Sequence, residues 1–387
     1  MTKNRTTPSQ RLRRLVHAWL AVVVCVGITT GCRISDSSGR SASNYYVYIS
    51  LSGDEEIAIY KMIPETGELI PSGNVNTGGT PGSIAVSPSN THLYAAIRST
   101  ASVTSFLVHP ETGGLSSIGM TPVVDNPVYV TTDKTGKFLL TAYYGAGKAA
   151  VFPIVDGVIG SEPTDIQAAE QNPHSILADP SNTFTFVPNT GADSILQYRL
   201  DLSSGKLLSN TTPKIATQPG SGPRHVWFHP RLPVVYFVNE KNSSVSVFQL
   251  NRDTGTLSSI QTLPTLPPDF TGDNTCADIE VTPSGCFLYA SNRGHNSIAC
   301  YSIDQESGQL TSLGQAPTEK RPRSFNVDPT GQYLFAAGQD SGRLQSYRID
   351  PVTGKLQKLQ LYNVGQTPSW VQVVEMPPRR QTPSGSD

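Results

Sequence analysis

The sequence predicts an all-β chain built from seven similar four-stranded sheets and shut into a ring. Two recurring phrases and the fit of the two ends carry that expectation. The first phrase is a turn, Pro-Glu-Thr-Gly-Glu-Leu from Pro64 to Leu69, which returns at Pro110 to Leu115, Ser203 to Leu207, Asp253 to Leu257, Glu306 to Leu310 and Val352 to Leu356. Its glycines, Gly67, Gly113, Gly205, Gly255, Gly308 and Gly354, are separated by 46, 92, 50, 53 and 46 residues, and the double step holds a worn copy at Asp156 and Gly157. Seven turns at a period of roughly 40 to 50 residues, with short alternating strands between them, are the signature of a propeller with one small sheet per blade.

The second phrase is a proline that opens an apolar strand. It stands at Pro81, Pro127, Pro173, Pro223, Pro322 and Pro368, with Ala277 read into the missing slot. A strand's first residue can spare its N–H, so proline is tolerated there. Pro81-Gly-Ser-Ile-Ala-Val is followed by the tight turn at Pro88-Ser-Asn and a second strand at Leu93-Tyr-Ala-Ala. A third strand, such as Val103-Thr-Ser-Phe-Leu-Val, comes next, and the glycine turn delivers a fourth. Each unit therefore reads as a four-stranded antiparallel meander.

The ends read as parts of a single blade. Tyr45 to Ser50 has the pattern of a second strand and Ile57 to Met62 that of a third, while Pro368 to Val374 supplies a lone first strand. Strands from both termini would then complete one sheet and remove the exposed edge of an open ring. The propeller is expected to span residues 43–375, with 376–387 as a tail lacking an apolar period.

Residues 1–31 are of another kind. Lys3, Arg5, Arg11, Arg13 and Arg14 precede an apolar run from Leu15 to Thr30, and small residues lead to Cys32. A basic start, a short apolar core and small residues before a cut are the marks of an export signal, and the run is short for a spanning helix. The approach to Cys32 resembles a lipobox, so Cys32 is expected to carry lipid and hold an exported periplasmic or cell-envelope protein on the membrane. Loss of those five basic residues from the 29 Lys and Arg leaves 24 against 30 Asp and Glu, a formal −6. No basic stripe or nucleic-acid motif is present, so nucleic acid is not expected as a partner. Cys276, Cys286 and Cys300 are read as unpaired small apolar residues. The seven histidines show no ligand spacing, and neither a metal site nor a cofactor is expected.

Alignment of the units turns single residues into rings. The residue after each opening proline is read as Gly82, Val128, His174, Arg224, Asp278, Arg323 and Ser369. The ends of the second strands, which share that mouth of the propeller, are read as Arg98, Tyr143, Thr190, Glu240, Arg293 and Gln339. His174, Arg224, Asp278, Arg323, Glu240 and Arg293 thus crowd one half of a funnel, a mixture of base, cations and carboxylates suited to an anionic ligand. By strand alternation His225 points away from the Arg224 face and is expected to pack or hydrogen-bond, and Trp370 to fill the closing blade.

The same residues carry a family resemblance. Gly222-Pro-Arg-His225, Val238-Asn-Glu240, Cys276-Ala-Asp-Ile279, Ser291-Asn-Arg-Gly294, Arg321-Pro-Arg-Ser-Phe325 and Gly365-Gln-Thr-Pro-Ser-Trp370 resemble motifs of the seven-bladed propeller lactonases, a family that includes the 6-phosphogluconolactonase and carboxymuconate-lactonising types. The resemblance implies that His174, Arg224, Glu240 and Arg293 act on a small-molecule lactone. Opening a lactone needs a base for water and fixed positive donors for the oxyanion. His174 or Glu240 could supply the first, and Arg224 and Arg293 the second. Arg323 and Asp278 are read as substrate-binding, with the planar fork of Arg323 suited to a carboxylate or phosphate. No Gly-x-Ser-x-Gly elbow is present, which argues against a serine-triad esterase. Two alternatives stay open, a non-catalytic binding propeller and a cyclase that forms a lactone from an unsaturated diacid.

Overall fold

The computed structural model describes residues 43–376. The export signal, Cys32 and the tail from residue 377 lie outside the described residues. Every regular element among the described residues is a strand, and the strands form seven separate antiparallel sheets. Six of these are four-stranded meanders. The seventh, following Tyr129–Thr132, has its outer strand broken into Val158–Ile159 and Asp165–Ala168, which is the worn copy around Asp156 and Gly157.

The closing blade is assembled from both ends, as expected. Pro368–Met376 pairs antiparallel with Asn44–Leu51 from Asn44↔Met376 to Leu51↔Pro368, and Asn44–Leu51 continues into Glu56–Met62 and Leu69–Asn76. Met376, read as the start of the tail, is instead buried as the last residue of the closing strand.

The recurring glycine turn has two physical reasons. All seven glycines adopt φ between +66° and +79°, the left-handed region where a Cβ is penalised. Each also lies against the previous blade. A Cβ on Gly113 would meet the ring of Tyr46 at 2.3 Å, and one on Gly255 the ring of Phe184 at 2.1 Å. The blade-packing tyrosines reach the other way: Tyr48 donates to the Gly113 carbonyl at 2.8 Å, Tyr236 to Gly308 and Tyr289 to Gly354 at 2.9 Å. The turn is therefore an inter-blade staple as well as a reversal.

Apolar side chains between adjacent sheets form the core, in clusters such as Val47, Ile49, Phe335 and Val371 at the closure. Cys276 and Cys300 are free and buried within it, as the sequence suggested, and Cys286 is buried as well.

Candidate active site

The mouth is set by one repeated device. In six blades the opening residue pairs with the last residue of the second strand: Pro81 with Ile97, Pro173 with Asn189, Pro223 with Asn239, Cys276 with Asn292, Pro322 with Gly338 and Pro368 with Leu51. In five blades the register slips immediately afterwards, a bulge that leaves the next residue out of the ladder. Bulges re-aim side chains, and here they break the alternation on which the sequence reading relied.

The register corrects the two rings. Cys276, not Ala277, occupies the proline slot, so the first ring is Gly82, Val128, His174, Arg224, Ala277, Arg323 and Ser369. Asp278 drops into the ring beneath, beside Ser83, Tyr129, Ser175, His225, Ser324 and Trp370. The ring of second-strand ends is Ser52, Arg98, Tyr144, Thr190, Glu240, Arg293 and Gln339, with Tyr144 replacing Tyr143. In six of these the N–H bonds the carbonyl just before the opening residue, as Glu240 does to Gly222 at 2.7 Å and Arg293 to Thr275 at 2.9 Å.

Arg224, Glu240 and Arg293 form a continuous chain of charge. Glu240 Oε1 accepts from Arg293 Nη2 at 2.6 Å, and Oε2 lies 3.3 Å from Arg224 Nε. That Nε–H is not aimed at the oxygen, so the second contact is electrostatic rather than a hydrogen bond. Arg293 Nη2 also donates to the Cys276 carbonyl at 2.9 Å. Arg224 is 1% exposed, and its Nη1 donates both to the Ala277 carbonyl and, at 3.1 Å, to His225 Nε2. Its backbone is held from the preceding blade, where Ser175 Oγ donates to the Arg224 carbonyl at 2.9 Å and Thr190 Oγ1 to that of Pro223 at 3.0 Å.

The electrostatics follow from this crowding. Burial would raise the Glu240 carboxyl, but Arg224 and Arg293 together outweigh it and hold the group below its usual range, an anion at neutral pH. Burial, with Arg293 and Arg323 nearby, pushes Arg224 down to about 9 against the pull of Glu240, still cationic at pH 7. Arg323 is half-buried and, among the described residues, has no hydrogen-bonded or ion-paired partner for its side chain. Its pKa falls to about 10, chiefly through burial and then the nearby Arg293 and Arg98. Three cations thus converge with one carboxylate between them, and the cation nearest the next blade is uncommitted.

His174 closes the other side. It is 6% exposed, edge-on to Tyr144 at 5.5 Å and tilted against His225 at 5.2 Å, and its Nδ1 is buried without a partner. Burial first, then Arg224, His225 and Arg323, hold it well below the ordinary histidine range, so the imidazole is neutral. Beneath it, His225, Tyr129 and Trp370 meet with centroids 5.3 to 5.8 Å apart and plug the centre. A channel of about 380 Å³ continues below the plug past Trp227, Glu280, Asn326 and Gln372.

His174, Arg224, Glu240 and Arg293 are therefore brought together as the sequence suggested, with Arg323 beside them. Asp278 is turned inward, its Oδ1 2.8 Å from His225 Nδ1 and 3.1 Å from the Ile279 N–H. Sequence reasoning missed the contact between His225 and Arg224, the edge that Tyr144 gives to His174, and the part Trp370 takes in the plug.

The sequence pattern of the family described as lactonase, 7-bladed beta-propeller, matches residues 46–373. A 6-phosphogluconolactonase from Pectobacterium atrosepticum is 36% identical over 252 residues, covering 65% of this chain and 75% of its own, and one from Serratia proteamaculans is 35% identical over 256 residues, covering 66% and 77%. Among solved structures, the periplasmic gluconolactonase of Pseudomonas aeruginosa superposes with a TM-score of 0.80 at 26% identity, covering 87% of this chain and 100% of its own. A putative 6-phosphogluconolactonase from Bacteroides fragilis gives 0.77 at 26%, with coverage of 88% and 100%.

Proposed function

The chain belongs to the lactonase family of seven-bladed β-propellers, and from that premise we propose that it hydrolyses an anionic sugar-acid lactone at the charged half of its mouth. One conjunction carries the reading. A neutral, buried imidazole with a free ring nitrogen and an unpaired guanidinium flank a fixed chain of Arg224, Glu240 and Arg293. Arg323 binds the substrate's anionic group. His174 takes a proton from water as the water oxygen bonds to the lactone carbonyl carbon. The carbonyl electron pair moves onto oxygen, where Arg224 and Arg293 stabilise it. Collapse breaks the ring ester C–O bond, and the departing alkoxide takes the proton back from His174. Glu240 keeps the two arginines at one spacing.

His174 is favoured over Glu240 as the base because both Glu240 oxygens face arginines, whereas among the described residues the His174 ring is paired with no charged group. Part of the depression of His174 comes from Arg224 and Arg323, and an arriving anion offsets that part, so the base strengthens when substrate binds. Hydrolysis of five- and six-membered aldonolactones, with and without phosphate, tests the activity. His174→Asn should lower kcat about a hundredfold and abolish the acidic limb of the pH profile. A mild effect moves the base to Glu240, and no turnover of any lactone by the parent protein rejects the reading.

The basic and apolar residues 1–31, together with the periplasmic setting of the Pseudomonas relative, support an exported protein anchored through Cys32. An unphosphorylated lactone that keeps a carboxylate outside the ring, as an aldaric-acid monolactone does, fits both that location and the unpaired charge of Arg323. Cys32→Ala should move the protein from the membrane to the soluble fraction, and unchanged membrane association would reject the lipid anchor.

A further inference from the structure

His225 lies outside the proposed chemistry, yet it is 3% exposed and sits at the centre of the floor. Its two ring nitrogens have different partners. Nε2 is 3.1 Å from Arg224 Nη1, and Nδ1 is 2.8 Å from Asp278 Oδ1. A guanidinium can only donate, so Nε2 must present its lone pair. The neutral ring then carries its proton on Nδ1 and donates to Asp278. Asp278 cannot turn away, because Oδ1 accepts from the Ile279 N–H at 3.1 Å and Oδ2 faces the Phe325 N–H at 3.4 Å. Tyr129, His174 and Trp370 hold the ring on its other sides.

The consequence falls on Arg224. Nη1 has two fixed acceptors, the Ala277 carbonyl and His225 Nε2, and Nε faces Glu240. Nη2 has no hydrogen-bond partner among the described residues. Both Nη1 hydrogens are therefore tied, the buried Nε–H is engaged only electrostatically, and the two Nη2 hydrogens are left for a ligand. We propose that Asp278 and His225 are positioning residues for Arg224: Asp278 fixes the tautomer of His225, and the His225 lone pair fixes the guanidinium so that Nη2 faces the reacting carbonyl oxygen. The arrangement matches a general logic in which a carboxylate selects an imidazole tautomer for the group beyond it.

The part of this proposal that concerns the carbonyl oxygen rests on the lactonase reading, and the part that concerns the tautomer does not. Imidazole nitrogen-15 spectra of the parent protein, with the His225 signals assigned by their loss in His225→Phe, should show a protonated Nδ1 and a bare Nε2. An Nε2–H tautomer overturns the proposal whether or not the protein turns over any lactone. In the activity arm, His225→Phe keeps an aromatic ring against Tyr129, His174 and Trp370 but removes the acceptor. It should lower kcat about tenfold or more with KM within about twofold, because the loss is felt where the oxyanion forms. His225→Gln, which offers an acceptor towards Arg224, should recover a substantial part of that loss. Parental kcat in His225→Phe, or equal losses in the Phe and Gln variants at matched thermal stability, overturns the positioning role.

Discussion

The two halves of the mouth use the same backbone for different ends. In the half formed by the closing blade and the two after it, the first-ring residues are Ser369, Gly82 and Val128, and the bonds are structural. Ser52 Oγ lies 2.8 Å from Ser369 Oγ and donates to the Pro81 carbonyl at 2.6 Å, tying the chain's closing strand to its neighbour. Gly82 leaves room for Arg98, whose carbons would crowd a Cβ there at 3.0 Å. In the other half the same slots hold His174, Arg224, Ala277 and Arg323, and the buried partners are ionic. Charge is affordable there because each buried ion but Arg323 has a partner or a fixed backbone acceptor. A repeated opening, bulged in five of the seven blades, thus supplies equivalent starts, and the side chains placed on them decide whether a start closes the ring or works at its mouth.

The sharpest way to break this division is to remove the structural half's own strand. Deleting residues from Thr367 onward takes away Pro368–Met376, with its ladder to Asn44–Leu51 and buried Val371, Val373 and Val374. Stability should fall by on the order of several kcal/mol, from lost apolar burial and an opened sheet edge. Urea unfolding followed by circular dichroism measures it, and an unchanged midpoint would mean that the ring does not depend on its closure.

Substitutions in the charged half should instead separate activity from fold. Arg224→Ala should lower kcat about a hundredfold or more, the scale of one oxyanion donor, with a smaller stability loss than the truncation, since Glu240 keeps Arg293. Arg323→Gln should act differently, raising KM for an anionic lactone about tenfold while leaving that for a neutral lactone nearly unchanged, because its charge is unpaired within the protein. Equal effects on charged and neutral substrates would deny Arg323 its role as anion receptor.

Much of this was legible in the sequence because the repeat exposes equivalent positions. Seven glycine turns, six prolines and the split closing blade fixed the number of blades and the residues of the mouth. The errors at the mouth were local and had two causes, a broken alternation and a miscounted slot. Alternation assumes a regular ladder, and the bulge after Pro223 breaks it, so His225 lies beside Arg224 instead of opposite. The misplacement of Asp278 had a remedy in the sequence. Opening residue and second-strand end are 16 apart in Pro81 and Ile97, Pro173 and Asn189, Pro223 and Asn239, and Pro322 and Gly338. Counting back 16 from Asn292 gives Cys276, and counting forward from Pro127 makes Tyr144 the next residue. Whether a ring nitrogen is engaged has no such signal, since it depends on donors contributed from blades 50 residues away.

The smallest expected effect is a pH signature of the charged half. His174 and His225 are held neutral by burial, His174 well below and His225 at about 4 against an unfolded value of 6.5. As pH falls from about 6.5 towards 4, the unfolded chain takes up protons that the fold refuses, so these groups withdraw stability on acidification. Glu280 works in the opposite sense. Burial, and then Asp278, hold its carboxyl well above 4.5 while it accepts from Asn326 and the Val327 N–H, so the fold keeps a proton that the unfolded chain loses as pH rises. The two effects overlap between pH 5 and 6.5, and the parent's slope there is their difference. Substitution separates them: relative to the parent, His225→Phe should flatten the loss of stability between pH 7 and 5, and Glu280→Gln should steepen it. Denaturant midpoints at the two pH values for all three proteins measure this, and parallel behaviour would mean that the buried histidines and the buried acid titrate in the fold as they do in the open chain.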